Sequence, residues 1–169
     1  MAIGSSAMCG TFKREILAGI HFWTAHTRTG SSAISADTFK IAMFTNSASI
    51  DADTTGYTTS NEVSGTGYSA GGAALASVTL GLADNSSSVP TAFLDFADTT
   101  FSSSTISSAR GALIYNSTLS TAGTGSTTNH AADPAVAVIN FGGDKSSSAG
   151  DFTIQYPADG ANTAIIRIS

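Results

Sequence analysis

The run Thr38-Phe39-Lys40-Ile41-Ala42-Met43-Phe44 decides the fold. Phe39, Ile41 and Met43 recur at every second residue, which places them on one face of an extended chain. A half-buried β-strand is therefore expected here. Downstream, Ala74–Leu82, Thr91–Ala97, Ile106–Tyr115, Ala135–Phe141, Phe152–Tyr156 and Ala164–Ile168 read as further strands. They are punctuated by Asp84-Asn85-Ser86-Ser87-Ser88, Gly142-Gly143-Asp144 and Pro157-Ala158-Asp159-Gly160. Short strands with frequent turn signals predict an all-β protein, an antiparallel β-sandwich or barrel-like domain, not βαβ units.

Upstream of the deciding strand the period changes. Phe12, Ile16, Ile20 and Trp23 recur at helical spacing, which predicts one N-terminal helix over 11–25. Thr11 is its expected N-cap, and Gly19 inside the run costs about 1 kcal/mol relative to Ala. Residues 1–10 read as a flexible arm, and 11–169 as a single β-rich domain. The stretch 117–133, almost entirely Ser, Thr, Gly, Ala and Asn, reads as a long loop.

The composition sets the surface. Hydrophobic residues make up 41%, enough for a core, yet only 11% are charged, against about a quarter in ordinary soluble domains. Ser and Thr supply nearly three residues in ten. A skin so poor in charge suits contact with neighbouring subunits, because contact centres are depleted in charged residues. The helical residues Phe12, Ile16, Ile20 and Trp23 are the assembly candidates. A net charge of −5 with scattered basic residues gives no face for nucleic acid. No apolar run reaches the length of a membrane span, and the N-terminus does not read as a signal peptide. Cys9, the single cysteine, has no partner in the chain for a disulfide.

Three motif matches fall between residues 51 and 71. Asp51, Asp53 and Glu62 stand at positions one, three and twelve of a calcium-loop pattern with Gly56 at six. The helices that flank such a loop are missing from the pattern, so these three are weak calcium candidates. Gly67-Tyr68-Ser69-Ala70-Gly71 matches a nucleophile elbow, with Asp95 or Asp98 and His130 in triad order. The flanks read as polar loop and strand, not strand and helix, so no catalytic residue is assigned. Gly65-Thr-Gly67-Tyr-Ser-Ala70 fits a dinucleotide fingerprint and fails for the same reason, so no cofactor is expected. His21 and His26, five apart, cannot share one ligand face of a helix. Asn85 and Asn116 open glycosylation sequons, which carry little weight in so hydroxyl-rich a chain.

Several blocks, Phe39–Thr45, Thr59–Tyr68 with Gly71-Gly72, Ala109–Asn116, Val136–Asp144, Gly150–Pro157 and Ala164–Ile168, together resemble small virion proteins of tailed bacteriophages. The likeness spans 12–168. It implies a sandwich-like structural protein made in the host cytoplasm and carried on the virion. The first expectation is a head decoration or cement protein, a homo-oligomer with trimers favoured, bound to the major capsid protein or other virion proteins. A tail, collar or fibre component is the alternative, and a glycan-binding adhesive module a third. An enzyme is not expected.

Overall fold

The structure, a computed structural model, describes residues 3–27, 32–124 and 129–169. The strand that opened the sequence reading is β2 (Phe39–Phe44), preceded by β1 (Ala7–Met8) and helix α1 (Gly10–Leu17). After it come β3 (Gly65–Thr66), β4 (Ala73–Ala74), β5 (Thr79–Asp84) and β6 (Pro90–Asp95). The long strands β7 (Thr99–Asn116) and β8 (Ala135–Ile154) follow, and β9 (Ile166–Ile168) ends the series. The fold class is the expected one, all-β, mostly antiparallel and sandwich-like, with one short helix.

The expected single domain divides into two compact units, Met1–Ala74 with Phe101–Phe152, and Leu75–Thr100 with Thr153–Ser169. The first holds most of a six-stranded sheet in the order β1-β8-β7-β2-β4, with β3 also on β7. The second holds a three-stranded sheet in the order β5-β6-β9. This division follows from pairing: 75–100 folds back as the β5–β6 hairpin, and the C-terminal β9 adds to β6 instead of to the large sheet.

In the first unit β2 runs antiparallel to β7 from Phe39↔Asn116 to Phe44↔Gly111. Phe39, Ile41, Ala42, Met43 and Phe44 are all buried, so β2 is covered on both faces and not on one. Gly72 sits at φ +69°, and a Cβ there would collide with the main chain of Ile41, so the β2–β4 approach needs glycine.

Several boundaries differ from expectation, each for a physical reason. Helix α1 ends at Leu17, short of residue 25. Gly19 (φ +68°) stops it, with Gly19 N–H bonded to Ile16 O and Ile20 N–H to Glu15 O. This is the left-handed glycine terminator, so Gly19 ends the helix instead of weakening its interior. Ile20 and Trp23 lie beyond the helix. The N-cap is Cys9, not Thr11, and it makes no side-chain cap bond.

Residues 3–9 are not a loose arm. β1 pairs with β8 (Ala7↔Val138, Met8↔Ala137), and Ile3 and Cys9 are buried. The Asn140 side-chain amide donates to the carbonyls of Ile3 and Gly4, sewing this segment down. Residues 1–2 of the expected arm, and 125–128 of the expected loop 117–133, lie outside the described residues. Within that loop Gly123 bridges His130.

Ala135–Phe141 and Phe152–Tyr156, expected as two strands, belong largely to one 20-residue strand. Gly142 and Gly143 do not turn the chain. Gly142 takes φ +73° inside β8, with its N–H held by Asn140 Oδ1. Hydroxyls lace β8 to β7: Ser104 Oγ to Ser147 Oγ at 2.7 Å, Ile106 N–H to Ser147 Oγ, and Ser108 N–H to Ser146 Oγ.

A buried polar chain fixes α1 on the first unit. Thr118 N–H donates to Asn116 Oδ1, so the Asn116 amide nitrogen faces Asp37 Oδ2 (2.7 Å) and His21 Nδ1 (3.1 Å). His21 therefore accepts at Nδ1, and its Nε2–H donates to Glu15 Oε2 at 2.9 Å. Around this chain Trp23 stacks on Phe39 (3.7 Å between centroids) and meets Phe12 edge-on.

Candidate assembly surface

Among large apolar side chains, the exposed ones are Leu17 (90%), Leu82 (74%), Leu80 (57%), Ile168 (49%) and Val89 (41%). Four of these five belong to the second unit, on or beside the three-stranded sheet, so this sheet is where the surface departs from a monomer's.

Strand register explains the grouping. Leu80 lies opposite Leu94, and Leu94 opposite Ile166; Leu82 lies opposite Ala92, and Ala92 opposite Ile168. Directly paired residues share a face, so these six side chains form two apolar rows across the sheet. The first row starts exposed at Leu80 and ends buried at Leu94 (3%) and Ile166 (5%). The second row, Leu82 and Ile168 flanking Ala92, stands open. On the other face Phe93 lies over Gly81, which leaves no room for a Cβ.

The hairpin that carries these rows is built by its turn. Asn85 Oδ1 accepts from Ser87 N–H and Val89 N–H, Ser88 takes φ +56°, and Ser86 N–H bonds to Asn162 Oδ1. β5 has one neighbour, so its outer backbone edge is unpaired within its sheet. Of the six residues Thr79–Asp84 only Asp84 is charged, and none is Lys or Pro, so the usual guards of an edge strand are missing.

In the same unit Ser77, Thr79, Asp95, Asp98, Tyr156 and Asp159 line a cavity of about 400 Å³. Asp95 is 3% exposed; its Oδ1 accepts from Phe96 N–H, and its Oδ2 is buried with no hydrogen-bond partner. Burial first, then Asp159 and Asp98, raises the Asp95 carboxyl above the ordinary aspartate range, outweighing the N–H dipoles of Phe96 and Ile165. Asp98 Oδ1 accepts from Tyr156 N–H. Burial pushes the Tyr156 hydroxyl up to about 12.

The assembly candidates chosen from sequence are placed elsewhere. Phe12 (0%) and Ile20 (9%) are spent in the chain's own core, and Trp23 packs on Phe39. Ile16 is half-buried, and the helical side chain that faces outward is Leu17. The helical period marks a face that must be covered, and here the chain covers it itself.

The calcium candidates do not converge. Glu62 is occupied by tyrosines: Oε2 accepts from Tyr57 O–H (2.6 Å), and Oε1 from Tyr68 O–H (2.6 Å) and Gly71 N–H (2.8 Å). Asp51 Oδ1 accepts from Asp53 N–H in a local turn. Among the described residues no group of three His, Cys, Asp or Glu side chains is placed to hold a metal ion. The Glu62 clamp was hidden in the sequence because Tyr57, Tyr68 and Tyr115 come together only through β2 and β7. Burial and Glu62 raise Tyr57 and Tyr68 well above the usual phenol range, and burial takes Tyr115 to about 12.

The remaining motif residues sit in plain surroundings. Ser69 is exposed and leads into the two-residue β4, so the strand–turn–helix setting of a nucleophile elbow is not formed. His130 Nδ1 donates to its neighbour's carbonyl, Ala131 O. His26 bridges Ile34 by backbone bonds, apart from the His21 chain. Asn116 of the second sequon is buried in that chain. Cys9 is buried, and desolvation, then Asp51 and Glu15, raises its thiol to about 12. No described helix is long and apolar enough to cross a membrane. No family model, no curated protein and no solved structure matches this chain.

Proposed function

We propose that the chain is a structural protein of a tailed-bacteriophage virion, foremost a decoration or cement protein on the outer surface of the head. It acts as a homo-oligomer, trimers favoured, against the major capsid protein, without catalysis, cofactor, nucleic acid or membrane. The observation that carries this reading is the open apolar face of the three-stranded sheet, Leu80, Leu82 and Ile168, beside an unguarded edge strand. Burying each such side chain against a neighbour is worth about 1.5–3 kcal/mol when complete. With only 11% charged residues, little charge needs to be desolvated at such contacts. Many modest contacts repeated over a lattice then act together.

The test is to count copies of the chain in purified, DNA-filled heads by quantitative mass spectrometry against the major capsid protein. A copy number comparable with that of the capsid protein supports the head reading. A few copies per particle, retained with isolated tails, moves the chain to the tail, and absence from particles of either kind removes the virion reading.

A further inference from the structure

The cavity of the second unit asks for a positive charge. Its wall carries Asp95, Asp98 and Asp159, and none of its ten lining residues is basic. A buried carboxylate oxygen without a donor is costly to keep, so Asp95 Oδ2 marks the point where a donor belongs. The ligand is larger than a metal ion. The three carboxylates do not draw together as a metal site requires, and the space is about 400 Å³. A guanidinium or an alkylammonium on a flexible stem fits wide-set carboxylates, because its several N–H donors point outward in different directions.

The chain itself presents such a group. Arg14 bonds Asn129 O, Arg110 pairs with Asp144, and Arg167 bonds Asn162 O. Among the described residues exposed Lys13 and Lys145 make no ion pair or hydrogen bond. Lys13 stands one helical turn before Leu17, so the two project from one face of α1, about 5–6 Å apart at Cβ. The acidic cavity has the matching neighbour: Thr79 lines it, and Leu80 of the open apolar row is the next residue.

We propose that the cavity receives the Lys13 ammonium of a second copy of the chain, with Leu17 of that copy seated on the Leu80–Leu82 rows. This deepens the reading of the chain as a multimer by naming its contact. The contact is heterologous, α1 of one copy on the second unit of the next, and such contacts close into rings.

The test is sedimentation velocity of the full chain over a concentration series, with no phage heads present. Wild type should self-associate. Lys13→Glu and Asp159→Lys should each weaken association by about tenfold or more, as loss of one partner of a desolvated pair does. The double variant Lys13→Glu with Asp159→Lys should recover most of it. Asp95→Asn, isosteric in the fold, should weaken association with an unchanged thermal midpoint. Agmatine, a free guanidinium with an ammonium tail, should compete and should shift the amide resonances of Phe96 and Ala97.

A wild type that stays monomeric overturns the proposal, and so does association untouched by all four variants. Agmatine binding without any effect of Lys13→Glu shows a cation site that is not filled by a second copy, and overturns the assignment to Lys13. The virion reading fails separately, by absence of the chain from particles, and a self-associating chain missing from heads would leave this contact standing.

Discussion

Two strands of six residues, β2 (FKIAMF) and β5 (TLGLAD), show how one chain makes both a core and a contact face. β2 lies between β7 and β4, and five of its six residues are buried. β5 lies at the end of its sheet, and five of its six are exposed although two are leucines. Both carry apolar side chains at every second position. What separates them is covering: β2 is enclosed by the chain, while β5 offers the same kind of side chain to something else. Alternation thus reports that a face must be covered and is silent about what covers it.

The contrast predicts its largest effect in the first sheet. Phe44→Ala removes a fully buried ring from β2 and should cost about 3–5 kcal/mol in urea unfolding. A loss of under 1 kcal/mol would mean that β2 is not the closed strand described.

Next in size is the polar clamp behind the same strand. Glu62→Ala strips the acceptor from Tyr57, Tyr68 and Gly71 at once. A loss of about 2–3 kcal/mol is expected, because buried donors are left without a partner for what was a charged acceptor. Glu62→Gln should recover part of it. Equal loss in both variants would show that the carboxylate charge, not the acceptor geometry, holds the clamp.

The four tyrosines give the third effect. All titrate above an ordinary phenol, Tyr115 and Tyr156 at about 12 and Tyr57 and Tyr68 higher. A phenol of raised pKa keeps its proton more tightly when folded. Its contribution is therefore whole below the unfolded value near 10 and is lost as pH rises toward the folded one. Absorbance at 295 nm should show almost no phenolate at pH 10, then a steep rise above pH 11 that coincides with unfolding by circular dichroism. Gradual ionisation centred on pH 10 in folded protein would contradict the burial.

How far the sequence could be read follows the same division. The period-two run at 38–44 and the all-β class were legible, because alternation and turn residues are local signals. The long strands β7 and β8 were not: Thr99–Ser108 and Asp144–Gly150 are polar, and they hold together by hydroxyls such as Ser104 and Ser147 across some forty residues. No local pattern announces that pairing. Gly142-Gly143 looked like a turn because glycine bends a chain, but in β8 it only kinks a strand. Glu62 was singled out for its spacing from Asp51, yet its partners are tyrosines brought in by tertiary structure. The contact face was misplaced onto Phe12, Ile16, Ile20 and Trp23 because a helical stripe looks the same whether the chain or a neighbour buries it.

The smallest effect on the folded chain is the most telling about β5. Leu82→Ser alters a side chain that is 74% exposed, so the unfolding free energy of the dissociated protein should change by no more than about 0.5 kcal/mol. If the rows Leu80–Leu94–Ile166 and Leu82–Ala92–Ile168 are covered by another subunit, the same change should weaken association by about tenfold, as truncating a central apolar contact does. Phe44→Ala gives the opposite pairing, large loss of stability and little specific effect on association among molecules still folded. Running both variants through unfolding and sedimentation separates the two roles. Leu82→Ser that destabilises the monomer as Phe44→Ala does would place β5 in the folding core and leave the outer surface without a face to offer.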